Sequence, residues 1–422
     1  MLLDNLPNLF EHLESDNIIE LFRAIAIMIR CQNSEQERME QLSRLLSIFD
    51  PIWSKVMTPQ FDPFSIETYK TLDLILMCHS NILLSLSGVY STILKDLLPQ
   101  FMFIFKTITE AIPQALKNDQ LLNSMQSTKS QILFILFKYS YFCFDQSMII
   151  KELMPMSFDI ILYDYVNSPN EVKLSASLKY FGAIFNRCSG NKIDEIVFNA
   201  FNEITNSTMS ILIPSSLENA NLKSDYYSLM GSIARQYTSV LASKEPDYIN
   251  GFIDILKVGA NTPILNICES CLQILMDIVT MFRTVMPPQI FGEFFNQQSL
   301  PLLQLYFSLL TDLSFKFAFN SIASAIENIF SMSNFEPKRE EAFVMLCQMY
   351  PNVEPVTIKQ LIDELVTSTP FMFSRNKLRD FILIVKMVML NDPDLFKDEM
   401  EPLKQELSQP IQIKKSQLLD FD

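Results

Sequence analysis

The chain has 422 residues, a formal net charge of -15 and 49% hydrophobic residues, yet only 7 Gly, where average usage would give roughly 30. Sheet-rich and doubly wound folds need Gly for tight turns and phosphate loops, so this composition excludes them as repeated elements. The acidic balance, with a pI of about 4.7, argues against nucleic-acid binding, which needs a basic face, and suits either solubility or basic protein partners.

The N-terminus, Met1-Leu2-Leu3-Asp4-Asn5-Leu6-Pro7, has no basic stretch and no small-residue cleavage site, so no signal peptide is expected. From Leu21 to Arg30 the apolar positions 21, 22, 25, 28 and 29 follow the spacing of an amphipathic helix. Ser15-Asp16-Asn17 stands before it to cap the free N–H groups. A second helix, Ser34 to Phe49, carries Met39, Leu42, Leu45, Leu46 and Phe49 on one stripe, with Glu35, Glu37, Arg38, Gln41 and Arg44 opposite. Asp50-Pro51 ends it, because a residue before Pro avoids the α region. Pro63-Phe64 opens a long helix towards Leu86, and Pro99 interrupts the next one at Leu98. Ser168-Pro169 starts a helix through Leu174, Leu178 and Phe181, closed by Ser189-Gly190-Asn191. Thr262-Pro263, Pro287-Pro288, Glu336-Pro337 and Glu354-Pro355 open later helices, since Pro in the first turn lacks only an N–H that has no partner there.

The pattern gives roughly eighteen helices joined by short polar loops, in pairs that recur about every 40 to 47 residues. The expected fold class is all-α: a HEAT-repeat alpha-solenoid of antiparallel helix pairs, forming a right-handed superhelical arch. A large globular helical domain is the alternative on pattern alone. Residues 1–408 read as about eight to nine helix pairs with no internal domain boundary, and residues 409–422 as a short C-terminal tail. The apolar runs Phe101 to Phe105, Ile132 to Phe137 and Phe381 to Val385 fall well short of the ~18 residues of a membrane span. No membrane insertion is expected.

Candidate chemistry is sparse, and no catalytic, cofactor-binding or metal-ligating residues are assigned. The chain has 2 His, His12 and His79, which fall in different repeats. Cys268-Glu269-Ser270-Cys271 is a lone C-x-x-C, without the second pair that a structural zinc site needs. Cys268 shares a helical face with Leu265, Leu272 and Leu275, which points to a buried thiol. The 7 Cys are an odd, scattered set that suits reduced thiols. There is no Gly-rich phosphate loop, G-x-S-x-G elbow or H-E-x-x-H. Carboxylate pairs such as Glu340-Glu341 and Asp363-Glu364 lie beside Lys or Arg, as surface ion pairs do. The 34 Phe and 22 Met sit at helical spacing and read as core, with a Met-rich binding surface as the alternative. The expectation is a binding protein and not an enzyme.

Several stretches resemble the exportin-1 family of receptors for leucine-rich nuclear export signals, within the importin-beta (karyopherin) superfamily. Leu21-Phe22-Arg23-Ala24-Ile25-Ala26-Ile27-Met28-Ile29 is similar to the family's F-Y-E-A-V-G-Y-M-I, and Pro51-Ile52-Trp53 stands where the family has N-Q-V-W. Leu162-Tyr163-Asp164-Tyr165 resembles L-I-D-Y, and Val197-Phe198-Asn199-Ala200-Phe201 resembles I-F-D-A-V. Leu272-Gln273-Ile274-Leu275 matches L-Q-I-L. Leu378-Arg379-Asp380-Phe381 matches L-R-D-F and is followed by Asp394-Leu395-Phe396. These matches keep their order and near-equal spacing along almost the whole chain, over the family's C-terminal portion. The chain departs from the family at P-E-H-R, where it has Asn219-Ala220-Asn221-Leu222-Lys223 before Ser224-Asp225-Tyr226-Tyr227. Its tail is also shorter, Lys414-Lys415-Ser416-Gln417-Leu418-Leu419-Asp420-Phe421-Asp422.

The resemblance implies an armadillo-type helical fold and Ran-dependent protein export from the nucleus, with no enzyme activity and no cofactor. The implied partners are the Ran GTPase in its GTP form, through part of its contact surface, export cargo in a full-length context, and nuclear pore proteins. The implied localisation is nucleus and cytoplasm, with shuttling between them. In the family the cargo groove and the repeats that grip Ran lie upstream of the region matched here. The last helix, Pro393 to Leu407, and the acidic ending are implied to disfavour the cargo-competent state, which makes Asp420, Phe421 and Asp422 candidates for a regulatory tail. The alternative is a free-standing HEAT-repeat scaffold, or a regulatory paralogue lacking the cargo groove.

Overall fold

The structure, a computed structural model, describes residues 13–58, 61–142, 146–190, 193–212, 219–367 and 371–390. Every regular element among them is helical. The chain divides into two compact units, Met1–Leu241 and Ala242–Asp422, and each is a stack of helix pairs of the HEAT type.

In the first unit the helices are α1 (Ser15–Arg30), α2 (Glu35–Leu46), α3 (Asp50–Val56), α4 (Ile66–Ser85), α5 (Ser87–Ala115), α6 (Asp119–Phe142), α7 (Met154–Asn167), α8 (Ser175–Cys188), α9 (Asp194–Leu212) and α10 (Ala220–Gln236). Short connections reverse the chain between partners, as between α1 and α2, where Ser34 caps the second helix by accepting the Glu37 N–H at 3.1 Å. One layer runs α1, α4, α6, α8, α10, each packed on the next; the other runs α2, α5, α7, α9. The pairs begin at Ser15, Ile66, Asp119, Ser175 and Ala220, and the first three steps are wider than the sequence pattern suggests. The short helix α3 in the first step, the long helix α5 in the second, and the long helix α6 with a π turn, Ile149–Leu153, just before α7 in the third account for the extra length.

Several boundary expectations need correction. Asp50 does not leave the α region before Pro51; it is helical at φ -54, ψ -41 and opens α3 straight after the 3-10 turn Ser47–Phe49. Ser168-Pro169 leads only into a 3-10 turn, Asn170–Val172, and α8 begins at Ser175. Pro99 does not interrupt a helix; it lies inside α5, as does Pro113. Each removes one backbone hydrogen bond at a cost of about 3 kcal/mol. Buried Leu94, Leu98, Phe101, Met102, Ile104, Phe105 and Ile108 hold the helix together across the first of them, each such side chain contributing about 1.5–3 kcal/mol. Asn219 to Tyr227, where the chain departs from the family's P-E-H-R, opens α10: Asn219 takes the left-handed conformation at φ 59 as its N-cap, and Tyr226 and Tyr227 are fully buried.

Polar ties stitch the first unit together between helices. Lys129 on α6 meets Asp164 on α7 at 2.5 Å, with both side chains buried. Thr109 on α5 donates to the same carboxylate at 2.9 Å and accepts from Lys129 at 3.2 Å. The ammonium also sits 4.5 Å from the centroid of the Phe105 ring. Burial lowers the basicity of Lys129, and the Asp164 charge opposes that shift. Next along the layer, Lys173 donates to the Tyr165 carbonyl at 2.7 Å and to Ser207 Oγ on α9 at 2.6 Å. Tyr165 OH meets Thr208 Oγ1 at 2.9 Å. Asp164 and Tyr165 belong to the Leu162–Tyr165 stretch singled out in the sequence, so that motif is a tie between repeats.

The same unit buries His79. Its Nδ1 lies 3.0 Å from the Tyr90 hydroxyl, and its Nε2 meets no hydrogen-bonding partner. The rings of Phe49, Trp53, Tyr90 and Phe101 surround it at centroid distances of 5.6, 6.0, 6.0 and 5.7 Å. Removal from water pushes its pKa down to about 3, because no counter-charge compensates an imidazolium there.

In the second unit the helices are α11 (Pro246–Ala260), α12 (Leu265–Val285), α13 (Pro288–Thr311), α14 (Phe319–Phe330), α15 (Arg339–Met349), α16 (Pro355–Thr367) and α17 (Phe371–Leu390). Pro288 and Pro355 stand at their first positions, as the sequence indicates, and so does Pro246. Pro263 instead lies two residues before α12, and Pro337 lies in the 3-10 turn Ser333–Lys338 ahead of α15. α12 packs on α11 and α14, and α14 on α17, while α13 packs on α14 and α15. Gln298 on α13 bridges Lys257 at 3.1 Å and Asn250 at 2.8 Å on α11. Tyr350 donates to the Phe307 carbonyl at 2.8 Å, and Phe381 stands edge-on to both rings at 5.3 and 6.0 Å. By length and composition α12 is apolar enough to cross a bilayer. Its buried residues Ile267, Leu272, Ile274, Ile278 and Phe282 are covered within the unit, as expected of a core helix.

Two stability predictions follow from the first unit. Asp164→Ala strands a buried ammonium and is expected to cost about 3–5 kcal/mol, while Lys129→Met with Asp164→Leu restores most of that. Urea unfolding monitored by Trp53, the chain's 1 Trp, measures both, and a loss below about 1 kcal/mol for Asp164→Ala would show that the pair is not desolvated. For His79 the folded pKa of about 3 lies below its ordinary 6.5, so the unfolded chain binds the extra proton between those values. Its stabilisation is therefore complete above pH 6.5 and declines as pH falls towards 3, by up to about 1.4 kcal/mol per pH unit. The acid limb of the Trp53 unfolding midpoint should be shallower by that component in His79→Gln; identical limbs would remove His79 as its source.

Candidate functional site

Several residues weighed in the sequence turn out to be structural. Cys268 and Cys271 lie on the buried face of α12, and burial pushes the Cys268 thiol up to about 12 and Cys271 well above its ordinary value. A thiol in that state is neither a nucleophile nor a ready ligand. Among the described residues no group of three or more His, Cys, Asp or Glu is placed to hold a metal ion. Glu341 pairs with Lys338 at 2.9 Å, Glu364 with Lys377 at 2.8 Å, and Asp363 with Arg339, so these carboxylates sit in ion pairs at the surface. The candidate regulatory residues Asp420, Phe421 and Asp422, like Pro393 to Leu407, lie outside the described residues.

The surface feature that stands out is on α6. This helix buries Ile132, Leu133, Ile135, Leu136 and Tyr139 on one side, yet its other side is also aromatic. Phe134 is 40% exposed and Tyr141 is 54% exposed. Phe134 stacks on Phe137 at 6.3 Å, and Phe137 meets Tyr141 at 6.3 Å. The spacing i, i+3, i+7 puts the three rings in one ridge.

Beside the ridge runs a cleft of about 410 Å³ between α4, α6 and α8, lined by Met77, Ser80, Phe134, Lys138, Ser175 and Lys179 among others. Lys138 lies across its wall: Nζ is 3.0 Å from Ser80 Oγ and 4.0 Å from the centroid of Phe134. Burial lowers its basicity, and no neighbouring charge offsets that shift. Lys179 at the other side is half-exposed and 3.7 Å from Asp225 on α10, whose carboxyl is held above its usual range by burial. The cleft offers apolar faces, ammonium groups and hydroxyls. Sequence reasoning assigned this Phe-rich stretch to the core. The signal available was a helix apolar on two faces with a Lys four residues after a Phe.

The thiols provide a direct check on this geometry. Iodoacetamide applied to the folded chain should alkylate exposed Cys31 first, while Cys78, Cys188, Cys268 and Cys271, all buried, should react only on unfolding. Peptide mass spectrometry reads the order, and early labelling of Cys268 or Cys271 would contradict their burial.

Comparison with known proteins bears on the whole assembly. A family model described as CRM1 C terminal matches residues 86–401. Protein EXPORTIN 1A of Arabidopsis thaliana is 21% identical over 436 residues, covering 94% of this chain and 40% of its own length. Exportin-1 of Schizosaccharomyces pombe is 20% identical over 434 residues, with the same shares, 94% and 40%. The chain thus spans about 40% of the length of the curated relatives it matches. A solved structure, the karyopherin Kap121p bound to the extreme C-terminus of the protein phosphatase Cdc14p, is 13% identical, with a TM-score of 0.37 over 95% of this chain and 41% of that one. The family match begins at the residue before α5 and runs past the last described helix, and on that extent the chain belongs to the CRM1 C terminal family.

Proposed function

We propose that this chain supplies the C-terminal repeats of a nuclear export signal receptor of the exportin-1 type, acting in Ran-dependent protein export. The observation that carries the proposal is the family match over residues 86–401, on a chain built of stacked helix pairs. The partners are the Ran GTPase in its GTP form, through part of its surface, export cargo in the full-length context, and nuclear pore proteins. The chain shuttles between nucleus and cytoplasm and acts by binding, without catalysis.

The mechanism is a coupling of sites. Ran-GTP and cargo each favour one curvature of the repeat stack, so each raises the other's affinity by the same factor. A stack in which each repeat touches only its neighbours changes curvature through small shifts at many interfaces. In this account residues 1–408 are the repeats and 409–422 the tail, with Asp420, Phe421 and Asp422 biasing the equilibrium.

The test is capture of purified Ran by the immobilised chain. Ran loaded with a non-hydrolysable GTP analogue should be retained in preference to Ran-GDP, and deletion of Gln409 to Asp422 should change that retention about threefold or more. Retention without nucleotide preference would favour the free-standing scaffold. Unchanged retention on deletion would remove the tail from the mechanism.

A further inference from the structure

We propose that the cleft between α4, α6 and α8 is a docking site for an acidic peptide segment in which a carboxylate side chain stands beside a large apolar one. The proposal rests on the cleft alone and stands or falls separately from the transport function.

Charge complementarity identifies the occupant. The chain as a whole is strongly acidic, with 48 Asp and Glu against 33 Lys and Arg. Several basic side chains elsewhere meet carboxylates: Lys95 lies 3.1 Å from Glu152, Lys257 3.1 Å from Asp254 and Lys377 2.8 Å from Glu364. Lys138 does not. Its neighbours are a hydroxyl and a ring, and among the described residues no ion pair accompanies them. An ammonium has three donors, so Lys138 is a partly desolvated cation with bonding capacity unspent. An incoming carboxylate satisfies it in a setting where the cation has already lost much of its water.

The apolar half of the occupant follows from the ridge. Phe134 forms one wall of the cleft and leads to Phe137 and Tyr141, so a large apolar side chain next to the carboxylate covers exposed rings as it enters. A volume of about 410 Å³ is at the lower end of known ligand sites, enough for one or two side chains and not for a folded domain. Lys179 adds a second cation at the opposite wall, partly answered by Asp225, which places the stronger field at Lys138. A basic segment is disfavoured by both lysines, and a wholly apolar one leaves Lys138 without a partner.

Fluorescence anisotropy with the full 422-residue chain tests this with three labelled nonapeptides of one framework. The first is Ala-Glu-Asp-Phe-Glu-Leu-Phe-Asp-Ala; the second replaces its acids by Gln and Asn; the third replaces them by Lys. The acidic probe should bind about tenfold more tightly than the neutral one, with affinity falling as salt rises, and the basic probe should not bind. Lys138→Gln and Phe134→Ser should each weaken the acidic probe about fivefold or more, while Lys106→Gln on another helix leaves it unchanged. Thermal melts of the variants confirm folding, and Tyr141→Ser, on a side chain 54% exposed, is the further ridge variant if Phe134→Ser melts early. Equal affinity for the neutral probe, no binding of the acidic one, or indifference to Lys138→Gln would each overturn the proposal.

Discussion

The ammonium of Lys129 against the carboxylate of Asp164 sets conditions that the middle of the first unit has to meet. Two charges removed from water each carry a desolvation cost of several kcal/mol, and only close contact with further hydrogen bonds offsets it. Thr109 on the preceding helix and the face of Phe105 supply those contacts. Three consecutive helices, α5, α6 and α7, must therefore meet in one register. Apolar side chains alone would tolerate a slide of one helix along another far more easily, since their attraction has no direction. The Lys173, Tyr165, Ser207 and Thr208 contacts extend the same kind of constraint to α9. In the second unit the ties are less buried: Gln298 stands between Lys257 and Asn250, and ion pairs join Arg339 to Asp363 and Lys377 to Glu364.

This division of labour leaves apolar side chains for the surface. Once polar ties fix the register, a helix need not spend every apolar side chain on its neighbours. Helix α6 can hold its place through Ile132, Leu133, Leu136 and Lys129 while Phe134, Phe137 and Tyr141 face outward. A stack of repeats presents many such outward faces side by side, and a cleft forms wherever three helices of one layer diverge.

Much of the fold was legible in the amino-acid sequence because it is set by local signals. Ser34 as a cap and Pro288 and Pro355 as first residues act within a turn of where they stand, and the apolar period of α1 needs no partner to be seen. Pro99 misled because its local penalty is outweighed by neighbours far away in sequence on α7 and elsewhere. The Lys129–Asp164 pair was invisible for the same reason: nothing local distinguishes this Lys from one in solvent. The aromatic ridge of α6 was misassigned because residue type tells how apolar a side chain is and not which side of the layer it faces. For the thiols of α12 the helical spacing alone was enough. The family motif around Leu162–Tyr165 was recognisable as a pattern before its physical content, a buried carboxylate and a tying phenol, was apparent.

The π turn at Ile149–Leu153 has a consequence for how such a chain tolerates change in length. A residue added inside a helix is absorbed by widening one turn, and everything after it is rotated about the axis by roughly 100° relative to an unbroken α-helix. In α7 the buried side includes Phe158, Ile161, Asp164 and Tyr165. Insertions in the loops of a helical stack merely lengthen its surface. A residue added within α7 ahead of Asp164 would instead turn that carboxylate away from Lys129 on the neighbouring helix and leave both charges buried apart. The length of this helix is therefore constrained together with its composition.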